Sequence, residues 1–178
     1  YPHGLLAIDK HVWLAKTYVS MGEYQRALYF MEIQEGAFDS FARGVADAMV
    51  GSVGRGESMW EFQTLPADFL RYKCQFEVGK IKEAKAGYDA LLKKDKIRDN
   101  GDIYWLILFD RGRIAEKEGD LKGAAGYYRQ AVDVIEQQRS TINTETSKIG
   151  FVGDKQAVYR QLVAALFADQ QYAAAFEY

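Results

Sequence analysis

Four points along this 178-residue chain carry the same local pattern, and that pattern restricts the fold more than anything else in the sequence. Gly22, Gly79, Gly119 and Gln170 each follow one apolar-periodic run and precede another. Two residues after each break stand Tyr24, Ile81, Leu121 and Tyr172; five after stand Ala27, Ala84, Ala124 and Ala175; nine after stand Met31, Tyr88 and Tyr128. Seven before come Ala15, Tyr72, Gly112 and Val163, where a small residue would allow two helices to cross closely, and Tyr72 fits that role worst. Glycine takes the positive φ that ends a helix without strain, and alanine in the next helix's first turns lets it pack against its neighbour. A set of residues recurring at fixed offsets from a turn marks a helical repeat.

The best-preserved copy is Tyr104 to Ala131, YWLILFDRGRIAEKEGDLKGAAGYYRQA. It reads as two antiparallel helices joined by a tight turn, with Gly119 ending the first and Asp120 offering an N-cap oxygen to the second. The second helix is expected to reach about Arg139. Similar periodicity runs from Leu5 to Met21, through Val12, Trp13, Leu14 and Tyr18, and from Glu23 to Ile33. Ala37 to Val50 also reads as helix after a bend near Gly36, and GSVGRGES, Gly51 to Ser58, as a loop. Pro66 is a helix-start residue for Ala67 to Val78, and Lys80 to Lys94 is that helix's partner. Lys93 to Asp102 reads as a solvated connector. Asp154 is placed to cap a helix running to Ala168, and Tyr172 to Tyr178 begins another. The fold class expected is all-α: antiparallel helix-turn-helix units at 8–35, 67–94, 103–139 and a truncated 154–178, with 37–63 as an extra helix and loop.

Charge and chemistry exclude more than they suggest. The 23 basic and 25 acidic residues leave a net charge of −2, so nothing pulls the whole chain toward nucleic acid or an anionic membrane. No apolar run approaches the roughly 18 residues of a membrane helix, and Tyr1–Pro2 resembles neither a start nor a signal peptide, so the chain reads as a segment of something longer. The single Cys74 makes no intrachain disulfide and leaves the compartment open, the cytoplasm being the default expectation. Its place in an apolar helical stretch points to an inert thiol rather than a nucleophile. His3 and His11 are eight apart, and Asp9 would point away from His11 on a helix, so no metal site is expected. GSVGRGES lacks the Lys-Ser/Thr and preceding strand of a phosphate loop. Glu116 and Glu118 point to different helical faces and read as a solvated helix end. No catalytic set and no cofactor site is expected.

Small residue, turn glycine, large apolar residue, alanine and aromatic at these offsets resemble the tetratricopeptide repeat, a helix-turn-helix unit of about 34 residues whose copies stack as a right-handed superhelix. The breaks here lie 57, 40 and 51 residues apart, so longer helices and inserted segments depart from a consensus array. Gly150 to Tyr178, GFVGDKQAVYRQLVAALFADQQYAAAFEY, is similar to the repeat segment preceding the CHAT domain, a caspase-like peptidase module, in bacterial proteins. The features carrying that likeness are Ile135, Glu136 and Arg139, then Phe151, Tyr159, Arg160, Ala175, Phe176 and Glu177. The resemblance implies that any peptidase His and Cys would lie beyond Tyr178.

In tetratricopeptide arrays the first helices of successive repeats line a concave groove, which the resemblance places on the residues ten, six and three before each break. Those columns are Val12, Phe69, Phe109 and Arg160; Lys16, Lys73, Arg113 and Ala164; and Val19, Phe76, Glu116 and Phe167. The candidate peptide groove is therefore Val12, Lys16, Phe69, Lys73, Phe109, Arg113, Arg160 and Phe167. Cations interleaved with aromatics suit an acidic or C-terminal peptide. The plainer alternative is that the cations solubilise the face while the aromatics belong to the core, and the asparagines of carboxylate-gripping arrays are missing. The function expected is a non-catalytic protein-interaction module, recruiting a partner or regulating an attached CHAT peptidase. The alternative is a nucleic-acid-binding helical array, with a hydrolase using Cys74 third. Homo-oligomers are a further expectation, since Phe176 and Tyr178 would pair two copies artificially if the final helix is cut.

Overall fold

The computed structural model describes residues 14–15, 17–33, 68–94, 96–143 and 155–178, and every regular element among them is helical. In chain order these are α1 (17–20), α2 (Tyr24–Ile33), α3 (68–77), α4 (Ile81–Leu92), a 3₁₀ turn (Ile97–Asp99), α5 (Gly101–Lys117), α6 (Leu121–Ser140), α7 (Gln156–Ala168) and α8 (Tyr172–Ala175). The expectations for the extra helix and loop at 37–63, the Pro66 start, the two histidines, and Val12, Lys16, Phe151 and Asp154 lie outside the described residues.

The four breaks share one geometry. Gly22, Gly79 and Gly119 have φ of 74°, 87° and 80°, and Gln170 has φ of 60°. At each, the amide of the break residue donates to the carbonyl three residues back: Val19, Phe76, Glu116 and Phe167, at 3.0–3.1 Å. The next amide donates five residues back, to Tyr18, Gln75, Ala115 and Leu166, at 2.8–2.9 Å. This paired bonding satisfies two carbonyls that a helix end would otherwise leave open. The following helix then opens with the same bond in every case, from Ala27, Ala84, Ala124 or Ala175 to the carbonyl four residues earlier. The register read from the sequence is therefore a register of hydrogen bonds.

Helix starts are set more variably. Asp120 Oδ1 accepts from Gly123 N at 2.8 Å, capping α6 as expected. Asn100 caps α5 by accepting from Ile103 N. The connector is solvated at Lys93, Lys96, Arg98 and Asp99, but Ile97 within it is buried, and the 3₁₀ turn carrying it packs on α5. At α7 the N-cap is Lys155, which offers no side-chain cap; its ammonium lies 5.8 Å from the Trp105 ring centre.

The chain divides into two compact units, Tyr1–Gly87 and Tyr88–Tyr178. The core of the first gathers Ala15, Ala27, Leu28, Met31 and Cys74, with Tyr18, Val19, Tyr24, Leu70 and Val78 against them. In the second, α6 packs on α5 and on α7. Its core draws Leu108 and Ala115 from α5, Ala124, Tyr128, Val132 and Ile135 from α6, and Val158, Leu162 and Leu166 from α7. Burying each large apolar side chain stabilises the fold by about 1.5–3 kcal/mol. The alanines five residues after the first three breaks are completely buried, which is why only a methyl group fits there.

The misfit at Tyr72 resolves as an exchange of partners. In the α5–α6 hairpin, Gly112 makes room for the Tyr128 ring, and a Cβ at Gly112 would collide with Tyr128 Cε1. In the α3–α4 hairpin the large residue sits on the first helix and the small one on the second. A Cβ at Gly87 would collide with Tyr72 Cδ1. Both crossings combine one tyrosine ring with one missing side chain, in opposite order.

Candidate functional site

In the first unit, Phe69 and Lys73 lie on α3, one turn apart. Phe69 is buried, so it belongs to the core. Lys73 Nζ lies 2.8 Å from Glu77 Oε1 one turn further on, and 5.7 Å from the Phe76 ring centre. The neighbouring carboxylate thus satisfies part of the cation's field within its own helix.

In the second unit, Phe109 and Arg113 lie one turn apart on α5. Phe109 is half-buried, its ring centre 5.7 Å from that of Tyr128. Arg113 spans Phe109, with Cζ 6.0 Å from the ring centre, and its Nη1 donates to Asp110 Oδ1 at 3.1 Å. Asp110 is 1% exposed, and its other oxygen accepts from the Tyr88 hydroxyl of α4 at 2.8 Å. A carboxylate so buried requires both partners, because an unpaired buried charge costs several kcal/mol. Arg160 and Phe167, on α7, are exposed, and Phe167 packs edge-on against Tyr172 with ring centres 5.0 Å apart. The groove columns therefore divide by environment. Phe69 and Phe109 serve the core, Lys73 and Arg113 are held by carboxylates on their own helices, and Arg160 and Phe167 face solvent.

Two polar clusters went unread in the sequence. Arg111 is 5% exposed; its Nε donates to Asp89 Oδ1 at 2.7 Å and its Nη2 to the Tyr127 hydroxyl at 3.2 Å, with Cζ 4.9 Å from the Tyr127 ring centre. The signal was available, since Arg111 falls on the stripe of Ile107, Leu108, Ile114 and Ala115, where an apolar residue is the norm. In the second cluster, Tyr159 of α7 donates to Glu136 Oε1 at 2.5 Å, and Arg139 Nη1 donates to Glu136 Oε2 at 3.1 Å. Three side chains are thereby in contact across α6 and α7.

Glu116 departs from the solvated role expected of it, because Tyr128 donates its hydroxyl to Glu116 Oε2 at 2.8 Å. Cys74 is fully buried, and burial pushes its thiol up to about 11. At neutral pH it is the protonated form, which is a poor nucleophile. Among the described residues, no three His, Cys, Asp or Glu side chains gather closely enough to hold a metal ion, and no helix is long and apolar enough to cross a membrane. No protein-family model matches the chain, and no curated protein or solved structure is significantly similar to it.

Proposed function

We propose that the chain is a non-catalytic protein-interaction module, a tetratricopeptide-like array whose helical hairpins stack as a superhelix and bind a peptide segment of a partner. The observation that carries this reading is the repetition of one turn. Four breaks with the same pair of hydrogen bonds set four helix pairs in the same local register, and alanines in that register are completely buried in three of them. Hairpins of one geometry that bury one face against the next are the units from which extended binding surfaces are built. The narrower likeness to CHAT-associated repeat segments rests on the sequence pattern, and on that reading the array would regulate an attached peptidase.

The ligand that fits the first-helix face is an acidic or C-terminal peptide segment, with Lys16 and Lys73 offered by the first unit and Arg113 and Arg160 by the second. Because Glu77 and Asp110 already pair with two of these cations, binding should be weak and strongly salt-dependent. Anisotropy of a fluorescent acidic peptide, titrated at low and at high salt, tests this. The expected result is binding that weakens in Lys16→Glu/Lys73→Glu where the first unit holds the peptide and in Arg160→Glu where the second does, with helical circular dichroism unchanged. Binding insensitive to both changes would remove the groove reading. A parallel low-salt titration with single-stranded nucleic acid tests the alternative array, which predicts tighter binding than the peptide's.

A further inference from the structure

On the peptide-groove reading, on which this inference rests, we propose that Glu77 is an internal ligand of Lys73, an autoinhibitory contact that an acidic partner must displace. Lys73 and Arg113 stand at the same place in the register, six residues before a break, and each meets a carboxylate of its own helix. The two carboxylates differ in what holds them. Asp110 has a side chain only 2% exposed, and it accepts from Arg113 Nη1 and from the Tyr88 hydroxyl. Enclosed in this way it stays when a ligand arrives, because leaving would strand a buried charge. Glu77 lies one turn from Lys73, its Oε1 2.8 Å from Nζ, and both side chains are 20% exposed. Ion pairs one turn apart and in reach of water are weak, so a ligand carboxylate can take the place of Oε1 at the ammonium.

The fold does not need a carboxylate at this position. Four residues after the six-before column stand Ser20, Glu77, Lys117 and Ala168. The breaks that follow them make the same pair of hydrogen bonds whichever of the four is present. An acid occurs in one copy only, and there it sits against a groove cation. Its charge offsets the attraction of Lys73 for an incoming carboxylate and repels that carboxylate directly, which is how a site raises its threshold against weakly acidic segments. Glu77 is therefore a specificity-determining residue for the first unit, selecting segments whose charge is dense enough to outcompete it.

Anisotropy of a fluorescein-labelled oligo-aspartate peptide tests the contact on the whole chain as wild type, Glu77→Gln, Lys73→Gln and the double variant. Glutamine keeps the size of the glutamate side chain and removes its charge. Glu77→Gln should bind about three- to tenfold more tightly than wild type at about 20 mM salt, with most of the gain lost at about 500 mM. The gain should vanish when Lys73→Gln is also present, and helical circular dichroism should be the same in all four forms. If Lys73→Gln weakens binding while Glu77→Gln leaves it unchanged, the groove reading stands and the internal ligand is overturned. A gain from Glu77→Gln that persists in full in the Lys73→Gln background also overturns it, since Glu77 would then act only through the general surface charge. Binding that ignores all three variants, or no binding by any form, overturns the internal ligand together with the first unit's groove.

Discussion

Tyr128 shows how one side chain fixes a helix crossing. Its ring fills the space over Gly112 and lies tilted against Phe109, and its hydroxyl donates to Glu116. Tethered at the hydroxyl and fully buried, the ring has nowhere to move when a methyl group is added at Gly112. Gly112→Ala should therefore destabilise the chain by about 1–3 kcal/mol, although alanine is the better helix former by about 1 kcal/mol. Gly126 provides the contrast. It lies within α6, nothing stands within 4 Å of a Cβ built there, and Gly126→Ala should stabilise by up to about 1 kcal/mol. Urea midpoints of the two variants should move in opposite directions; a common sign would mean that ring contact does not decide the Gly112 position.

At the scale of elements, the turns were legible and the crossings were only partly so. Glycine announces a positive φ, and the alanine column follows it at a fixed offset, so the positions of the turns could be read from spacing. Gln170 could be aligned with the glycines only because its neighbours kept the register, and its φ of 60° falls in the same left-handed region as theirs. The exchange at Tyr72 and Gly87 was hidden because a column looks for one residue type, whereas packing constrains the sum of two. The environment of the groove columns was not legible. Glu77 is four residues after Lys73 and Asp110 three before Arg113, both at contact spacing on a helix, yet the groove columns leave them out. The Tyr88–Asp110 bond spans 22 residues between helices, and no local period specifies it. The turn also yields a prediction. A non-glycine residue in the left-handed region costs about 1 kcal/mol or more, while glycine gives back a few tenths through the freer unfolded chain. Gln170→Gly should raise the thermal midpoint, whereas Gly119→Gln, at a φ of 80°, should lower it. Differential scanning calorimetry on the pair reads both signs, and a drop with Gln170→Gly would show that the glutamine side chain contributes more than its backbone strain costs.

Across the whole molecule, buried acids in both units tie stability to alkaline pH. In the first unit, burial holds the Cys74 thiol at about 11 against an ordinary 9.0; Lys73 works against the shift and Glu77 adds to it. In the second unit, burial raises the Tyr128 and Tyr159 phenols well above their ordinary 10.0, and the Glu116 and Glu136 carboxylates that accept their protons add to the effect. Each of these groups is neutral when protonated and has a folded-state value above its unfolded one. Between the two values the unfolded chain has released a proton that the folded chain keeps, so stability falls as pH rises. For one group the slope approaches about 1.4 kcal/mol per pH unit. The thiol begins to act near pH 9 and the phenols near pH 10, so the decline should steepen as pH rises. Urea unfolding at intervals from about pH 8 to about pH 11 should show the wild-type free energy beginning to fall near pH 9. In Cys74→Ala the overall value drops through the small cavity, but the onset of the alkaline decline moves up toward pH 10, where Tyr128 and Tyr159 take over. An onset that stays near pH 9 in Cys74→Ala would mean that the folded thiol titrates like an exposed one, and that some other group drives the alkaline loss.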